Sequence, residues 1–232
     1  NAFTLNFIDP RITLRKEEDD IYFIRTKLFI YFDSPYSMEE EKKILQTIEE
    51  GIEKTWRGQA DTLFLKTDVM VKKHPPSCSL NQMNERNIMD SLIYPDHFDV
   101  HISKNIVRSH VRRDLNIPAS GHWEGNLTPP PSMQKIYAHE FGHFLGFSDL
   151  YSDVAFYDLS GTLFSKDYFQ PLSLYSSLQT LPPQLNVGWF TAIVLEDNVN
   201  IMANSARGKV LPQHIKALVE THTSSGGASR RY

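Results

Sequence analysis

The segment His139-Glu140-Phe141-Gly142-His143-Phe144-Leu145-Gly146-Phe147-Ser148-Asp149 constrains this chain more than any other. It reads HExxHxxGxxD. On a helix, positions i and i+4 lie on one face about a turn apart, so the imidazoles of His139 and His143 can converge on one ion. Glu140 then sits on an adjacent azimuth, within reach of a water on that ion. Two neutral imidazoles and a third protein ligand suit Zn²⁺, which keeps its fourth position for water. A water polarised by zinc, with a carboxylate beside it, is a hydrolytic nucleophile at neutral pH.

A helix carrying two histidines by accident is the competing explanation. At this composition, HExxH arises by chance in roughly one chain in fifty, and the added glycine and acidic position make coincidence far rarer. The flanking residues also read as a helix. Ser132, after Pro129-Pro130-Pro131, is placed to cap its N-terminus. Tyr137, Phe141, Phe144 and Leu145 fall on the side away from the two histidines, giving one packing face and one binding face. Gly142 permits close approach of another group. Gly146 can take positive φ, end the helix and return Asp149 to the ion.

A chain of 232 residues can bury one sizeable core, which predicts a single domain over 1–222, with lobes of about 1–147 and 148–222. Residues 223–232 read as a flexible Ser/Gly tail. The formal charge of −4 gives no electrostatic reason to expect nucleic acid, and no apolar run approaches a membrane span. One cysteine, Cys78, excludes an internal disulfide framework and is expected in a loop. The start at Asn1 lacks a signal-like segment, as in a mature product or an excised domain.

Along the chain, residues 3–15 alternate loosely and read as a strand or a broken hairpin arm, followed by a charged turn at Lys16–Asp20. Ile21–Phe32 is the clearest strand. Ser37 and Glu40 form a capping box, and Ile44, Leu45, Ile48, Ile52 and Trp56 make the apolar stripe of a helix ending near Gly58. Strands are expected again at Thr62–Lys72 and Phe98–Ile102. Strand, helix, strand, strand predicts an α+β fold with a twisted, mostly parallel sheet and helical crossovers. His97, His101, His110 and His122 read as surface or hydrogen-bonded residues. Residues 115–131, rich in Pro and Gly, read as a connecting loop under Trp123 or as an edge strand able to hold an extended peptide. Residues 150–190 show no clear periodicity and predict an irregular lower lobe. A tight turn at Asn200–Gly208 precedes a last helix over Pro212–Glu220.

The zinc motif, followed by Asn200-Ile201-Met202 and a terminal helix, resembles the metzincin zinc endopeptidases. The likeness spans roughly residues 21–222, with the zinc motif its most specific part. It implies zinc held by His139, His143 and Asp149, Glu140 as general base, and Met202 in a turn beneath the metal. Aspartate as third ligand is similar to the small secreted bacterial members. No tyrosine follows Met202 where some families place one; Tyr151, Tyr157, Tyr168 and Tyr175 are the alternatives. A buried core methionine is the alternative reading of Met202. The chain also resembles the aspzincins, which pair HExxH with GTxxD: Gly161-Thr162 stands upstream of Asp167, two residues late for that pattern. Glu196 is a more distant alternative.

The function expected is zinc-dependent peptide hydrolysis, outside the producing cell, on a protein or peptide substrate. Two alternatives stand beside it. One is the toxin domain of a larger secreted effector, which would have a cognate inhibitor or immunity protein. The other is a silent zinc-binding interaction module, against which the retention of Glu140 argues, since binding metal does not require that residue.

Overall fold

The computed structural model describes residues 3, 5, 8–18, 20–74, 96–105, 109–114, 117–125, 130–156, 163–164, 190–195, 199–203, 205 and 208–224. Strands β1 (Thr13–Glu18) and β2 (Ile21–Phe32) pair antiparallel. Asp20, at φ 61°, lies between them. Aspartate tolerates the left-handed region better than most residues. The charged run expected as a turn is therefore strand as far as Glu18, with its side chains exposed. Along β2, Tyr22, Ile24, Thr26, Leu28 and Ile30 are buried on one face, while Phe23, Lys27 and Phe29 are half-buried on the other. This alternation is the period-two pattern of a strand with a core on one side.

Helix α1 (Met38–Thr55) begins at the expected capping box. The Ser37 hydroxyl accepts from the Glu40 amide at 3.2 Å, and the Glu40 carboxylate accepts from the Ser37 amide at 2.6 Å. Ile44, Ile48 and Ile52 are buried against the sheet side of the helix, and Trp56 caps its end. A short strand not read from the sequence, β3 (Gly58–Ala60), then turns through Asp61 into β4 (Leu63–Lys73). Strands β5 (Phe98–Ser103), β6 (His110–Asp114) and β7 (Ile117–Glu124) follow.

The sheet runs in the order β3-β4-β2-β5-β7-β6. Its four inner strands, β4, β2, β5 and β7, are parallel, and both end strands are antiparallel to their neighbours. The length of β2 allows it two partners on one side, β1 along its first half and β5 along its last five residues. The result is a mixed α/β fold with a mostly parallel sheet, covered on one face by α1 and by α2 (Pro130–Phe144). The two helices cross at Gly51, where an added Cβ would stand 2.6 Å from the carbonyl oxygen of Gln134.

Several expectations are corrected. No strand is present between residues 3 and 12 among the described residues; Ile12 and Leu14 are nonetheless buried in the core. The Pro/Gly-rich stretch contains β7, an inner strand, and the sheet edge is β6 instead. Gly121 is what admits Trp123 there: a Cβ would lie 2.7 Å from the indole Nε1, so the ring folds back over its own strand into the core. Ser132 is not the cap of α2, because the helix already begins at Pro130. After α2 the chain is not wholly irregular. Strands β8 (Tyr151–Phe156), β9 (Leu163–Phe164) and β10 (Phe190–Leu195) form an antiparallel sheet in the order β10-β8-β9. Cys78, Glu196 and the tail from residue 225 lie outside the described residues.

Helix α3 (Pro212–Ser224) starts at the expected proline and runs four residues further than expected. Its buried face includes Ile215, Leu218 and His214. The Nδ1 of His214 accepts from the Leu211 amide at 2.8 Å, which places the ring proton on Nε2. That nitrogen is buried among the rings of Phe3, Trp56 and Phe147. Burial pushes the imidazole down to about 4, against the smaller opposing effect of the Leu211 hydrogen bond. The folded state therefore binds fewer protons than the unfolded chain, whose histidine titrates near pH 6.5. This contribution is fully present above pH 6.5 and is lost as pH falls toward 4, by about 3 kcal/mol in all. Unfolding titrations at several pH values should show that fall, and His214→Gln should make it shallower. An unchanged slope in the variant would remove His214 as its cause. No described helix is long and apolar enough to cross a membrane.

Candidate metal centre

Helix α2 carries two chemistries on opposite sides. Tyr137, Phe141, Phe144 and Leu145 are buried in the core as expected, with Phe144 stacked on Phe98 at 4.1 Å. His139 and His143 share the other side, their rings 4.9 Å apart and nearly perpendicular. His139 and Glu140 are almost fully buried.

The end of α2 sets the third residue. Gly146 lies at φ 102°, in the region that favours glycine. Its amide donates to the His143 carbonyl, and the Phe147 amide reaches back to the Gly142 carbonyl, both at 3.0 Å. This pair of bonds is a Schellman ending. It reverses the chain within three residues and returns Asp149 to the histidine face. The Asp149 Oδ1 stands 3.1 Å from His139 Nε2 and 3.2 Å from His143 Nε2. The three donor atoms all lie within 4.8 Å of one another, and among the described residues they form the one group of three able to hold a metal ion.

The far side of each ring shows what the near side can do. His139 Nδ1 lies 2.8 Å from the Ile201 carbonyl, and His143 Nδ1 lies 2.9 Å from the Phe147 carbonyl. A carbonyl only accepts, so each Nδ1 carries a proton. The neutral rings then present Nε2 lone pairs toward the carboxylate. Two lone pairs and an anionic oxygen at these separations repel unless a cation, or an added proton, lies among them. Burial disfavours the charge of Asp149, but with that added proton the hydrogen bonds and positive charge of His139 and His143 outweigh it and hold the carboxyl well below the usual range. The donor set, two imidazoles and one carboxylate oriented by outer carbonyls, fits a borderline-soft divalent ion such as zinc.

Met202 lies beneath this helix. It is fully buried, and its sulfur would be 2.5 Å from a Cβ added at Gly142. Its turn is braced by Asn200, whose side chain accepts from the Met202 amide at 2.8 Å. The Met202 carbonyl accepts from Leu150, next to Asp149, at 3.0 Å. Lys135 on α2 donates to the Gly208 carbonyl at 3.1 Å; burial and the nearby charge of Lys209 hold its pKa down. One turn thus supports both ends of the site, through the Ile201 carbonyl at His139 and the Met202 carbonyl behind Asp149.

Sequence reasoning named the three side chains that converge, His139, His143 and Asp149, and the methionine packed under Gly142, but not the two outer carbonyls. The Phe147 carbonyl follows from the glycine ending at Gly146. Nothing in the sequence marks the Ile201 carbonyl. Asp167 and the tyrosines Tyr157, Tyr168 and Tyr175 lie outside the described residues, and Tyr151 opens β8. Comparison with protein-family models, with curated proteins and with solved structures returns no match.

Proposed function

We propose that this chain is a zinc-dependent endopeptidase of metzincin-like build. The observation that carries the reading is the convergence of His139 Nε2, His143 Nε2 and Asp149 Oδ1, with both ring protons engaged by backbone carbonyls. The parallel sheet upstream, the glycine-ended helix and Met202 beneath it support the metzincin likeness. Bound zinc would supply Lewis acidity, acidifying water and polarising the scissile carbonyl. Glu140, one residue beyond the first ligand and on the adjoining helix azimuth, takes the proton of the attacking water. As the water oxygen bonds to the carbonyl carbon and the C–N bond breaks, Glu140 passes that proton to the leaving amine. His139 and His143 are held in one tautomer by the carbonyls of Ile201 and Phe147. Strand β6 ends the sheet, and its backbone would pair with a substrate peptide in extended form.

The reading is tested by stripping the protein with a chelator and following cleavage of a generic unfolded protein. Hydrolysis should vanish and return with one equivalent of zinc. The thermal midpoint should fall on stripping, because an ion present at ~1,000 times its Kd stabilises the native state by about 4 kcal/mol. Undiminished hydrolysis by metal-free protein would overturn the proposal.

A further inference from the structure

On the sheet face opposite α1 and α2, five rings stand in a row, four from neighbouring strands and one from the residue that follows β4. His74, just past β4, stacks on Tyr31 of β2 at 4.4 Å, and Tyr31 stacks on His101 of β5 at 4.9 Å. His101 stacks on His122 of β7 at 5.1 Å, and His122 on His110 of β6 at 5.2 Å. The last three contacts follow the strand register: Tyr31 pairs with His101, His101 with His122, and His122 with His110. The two histidine–histidine planes lie within 11° of parallel. The ladder thus ends on the edge strand, and its last three rungs are all titratable.

We propose that this ladder is an acid-sensitive latch: neutral rungs hold the β6–β7 hairpin to the rest of the sheet, and proton uptake releases it. Stacked neutral imidazoles attract through their ring faces, whereas adjacent imidazoliums repel. The groups facing the ladder are unevenly shared. At the inner end Asp33 faces His101, its carboxylate 3.0 Å from Nδ1, so a proton there is balanced. Also on β5, two residues before His101, Asp99 is taken up by His97 at 3.4 Å. At the outer end Arg112 of β6 adds positive charge, and Ser120 of β7 offers His122 only a hydroxyl at 3.4 Å. Glu124, next along β7, is the nearest acid on that strand, with its amide held by Ser109 at 2.9 Å. Burial first, then the charges of His101 and His110, push His122 down to about 4.

The sign follows from that depression. A released hairpin returns His122 to about 6.5, so the open form binds one proton more than the closed form. Closure is at full strength above pH 6.5 and weakens as pH falls toward 4, with the open population rising about tenfold per pH unit. The latch lies on the far face from His139 and His143, so it acts on the strand and not on the ligands.

Amide hydrogen exchange of His110–Asp114 in the zinc-loaded protein, corrected for intrinsic rates, reads this opening. Between pH 7 and pH 5 the parent should lose at least tenfold in protection there, with β2 and β4 changing much less. His122→Phe keeps the stack without the proton and should hold β6 protection within about twofold over the same range. Any other effect of acid is common to parent and variant, and the difference between them cancels it. If His122→Phe does not fold, His110→Gln on the edge strand removes one repelling rung and should at least halve the loss on a logarithmic scale. Equal pH dependence in parent and folded variant, or a parent whose β6 protection is indifferent to acid, would overturn the proposal.

Discussion

Replacing Glu140 with alanine should leave zinc at one per chain and lower peptide hydrolysis by about 10²- to 10⁴-fold, the usual contribution of a positioned acid–base group. The two effects separate because, in the proposed mechanism, His139, His143 and Asp149 hold the ion and Glu140 moves the proton. Glu140 is almost fully buried, so alanine also opens a small space beside the helix. Glu140→Gln controls for that: it keeps the shape and removes the base, and should be as inactive as the alanine variant. Metal content by elemental analysis and initial rates on an unfolded protein substrate measure both sides. Hydrolysis by either variant at the parent's rate would take Glu140 out of the mechanism.

The largest effect on stability is expected at Trp56. Its side chain is fully buried behind α2, stacked on Phe147 at 5.6 Å and set edge-on to Phe141 and His214. Its indole nitrogen donates to the Ala138 carbonyl at 2.6 Å, and its own carbonyl accepts from Thr67 at 2.6 Å. The ring therefore joins α1, the residue that follows Gly146, and the start of α3. Trp56→Ala should cost about 3–5 kcal/mol, from lost transfer energy and the cavity left behind. Trp56→Phe keeps much of the apolar contact and should cost about half as much. Denaturant unfolding of the zinc-loaded protein measures the difference. A loss under about 1 kcal/mol for the alanine variant would mean that the site is not braced from behind in this way.

How much was legible depended on whether the signal was local. β2 and α1 carry their own marks, a long run rich in β-branched and aromatic residues and a capping box; β2 was read to the residue, α1 to the residue at its start and within three at its end. The convergence of His139, His143 and Asp149 was legible for the same reason, since helix spacing and a glycine ending are properties of eleven consecutive residues. Strand β6 was missed, and β7 was read only as a loop or an edge strand, because their sequences argue against an inner strand: Arg112 and Arg113 in one, Pro118 and Gly121 in the other. They are strands because β5 offers a parallel edge and because Gly121 makes room for Trp123, a tertiary fact. The histidine ladder was invisible for a sharper reason. His74, His101, His110 and His122 meet only when strands distant in sequence are laid in one register, so the last three each read as a surface or hydrogen-bonded residue and His74 drew no reading. The placement of Ile201 under His139 is likewise a product of folding and not of local spacing.

The central claim is that Asp149, returned by the glycine turn, completes a three-residue grip on one ion. Zinc retained after dialysis against a competing chelator, compared among the parent, Asp149→Ala and Asp167→Ala, tests it most directly. The account predicts one zinc per chain in the parent and in Asp167→Ala, and little or none in Asp149→Ala. Full retention by Asp149→Ala, with loss in Asp167→Ala, would contradict it.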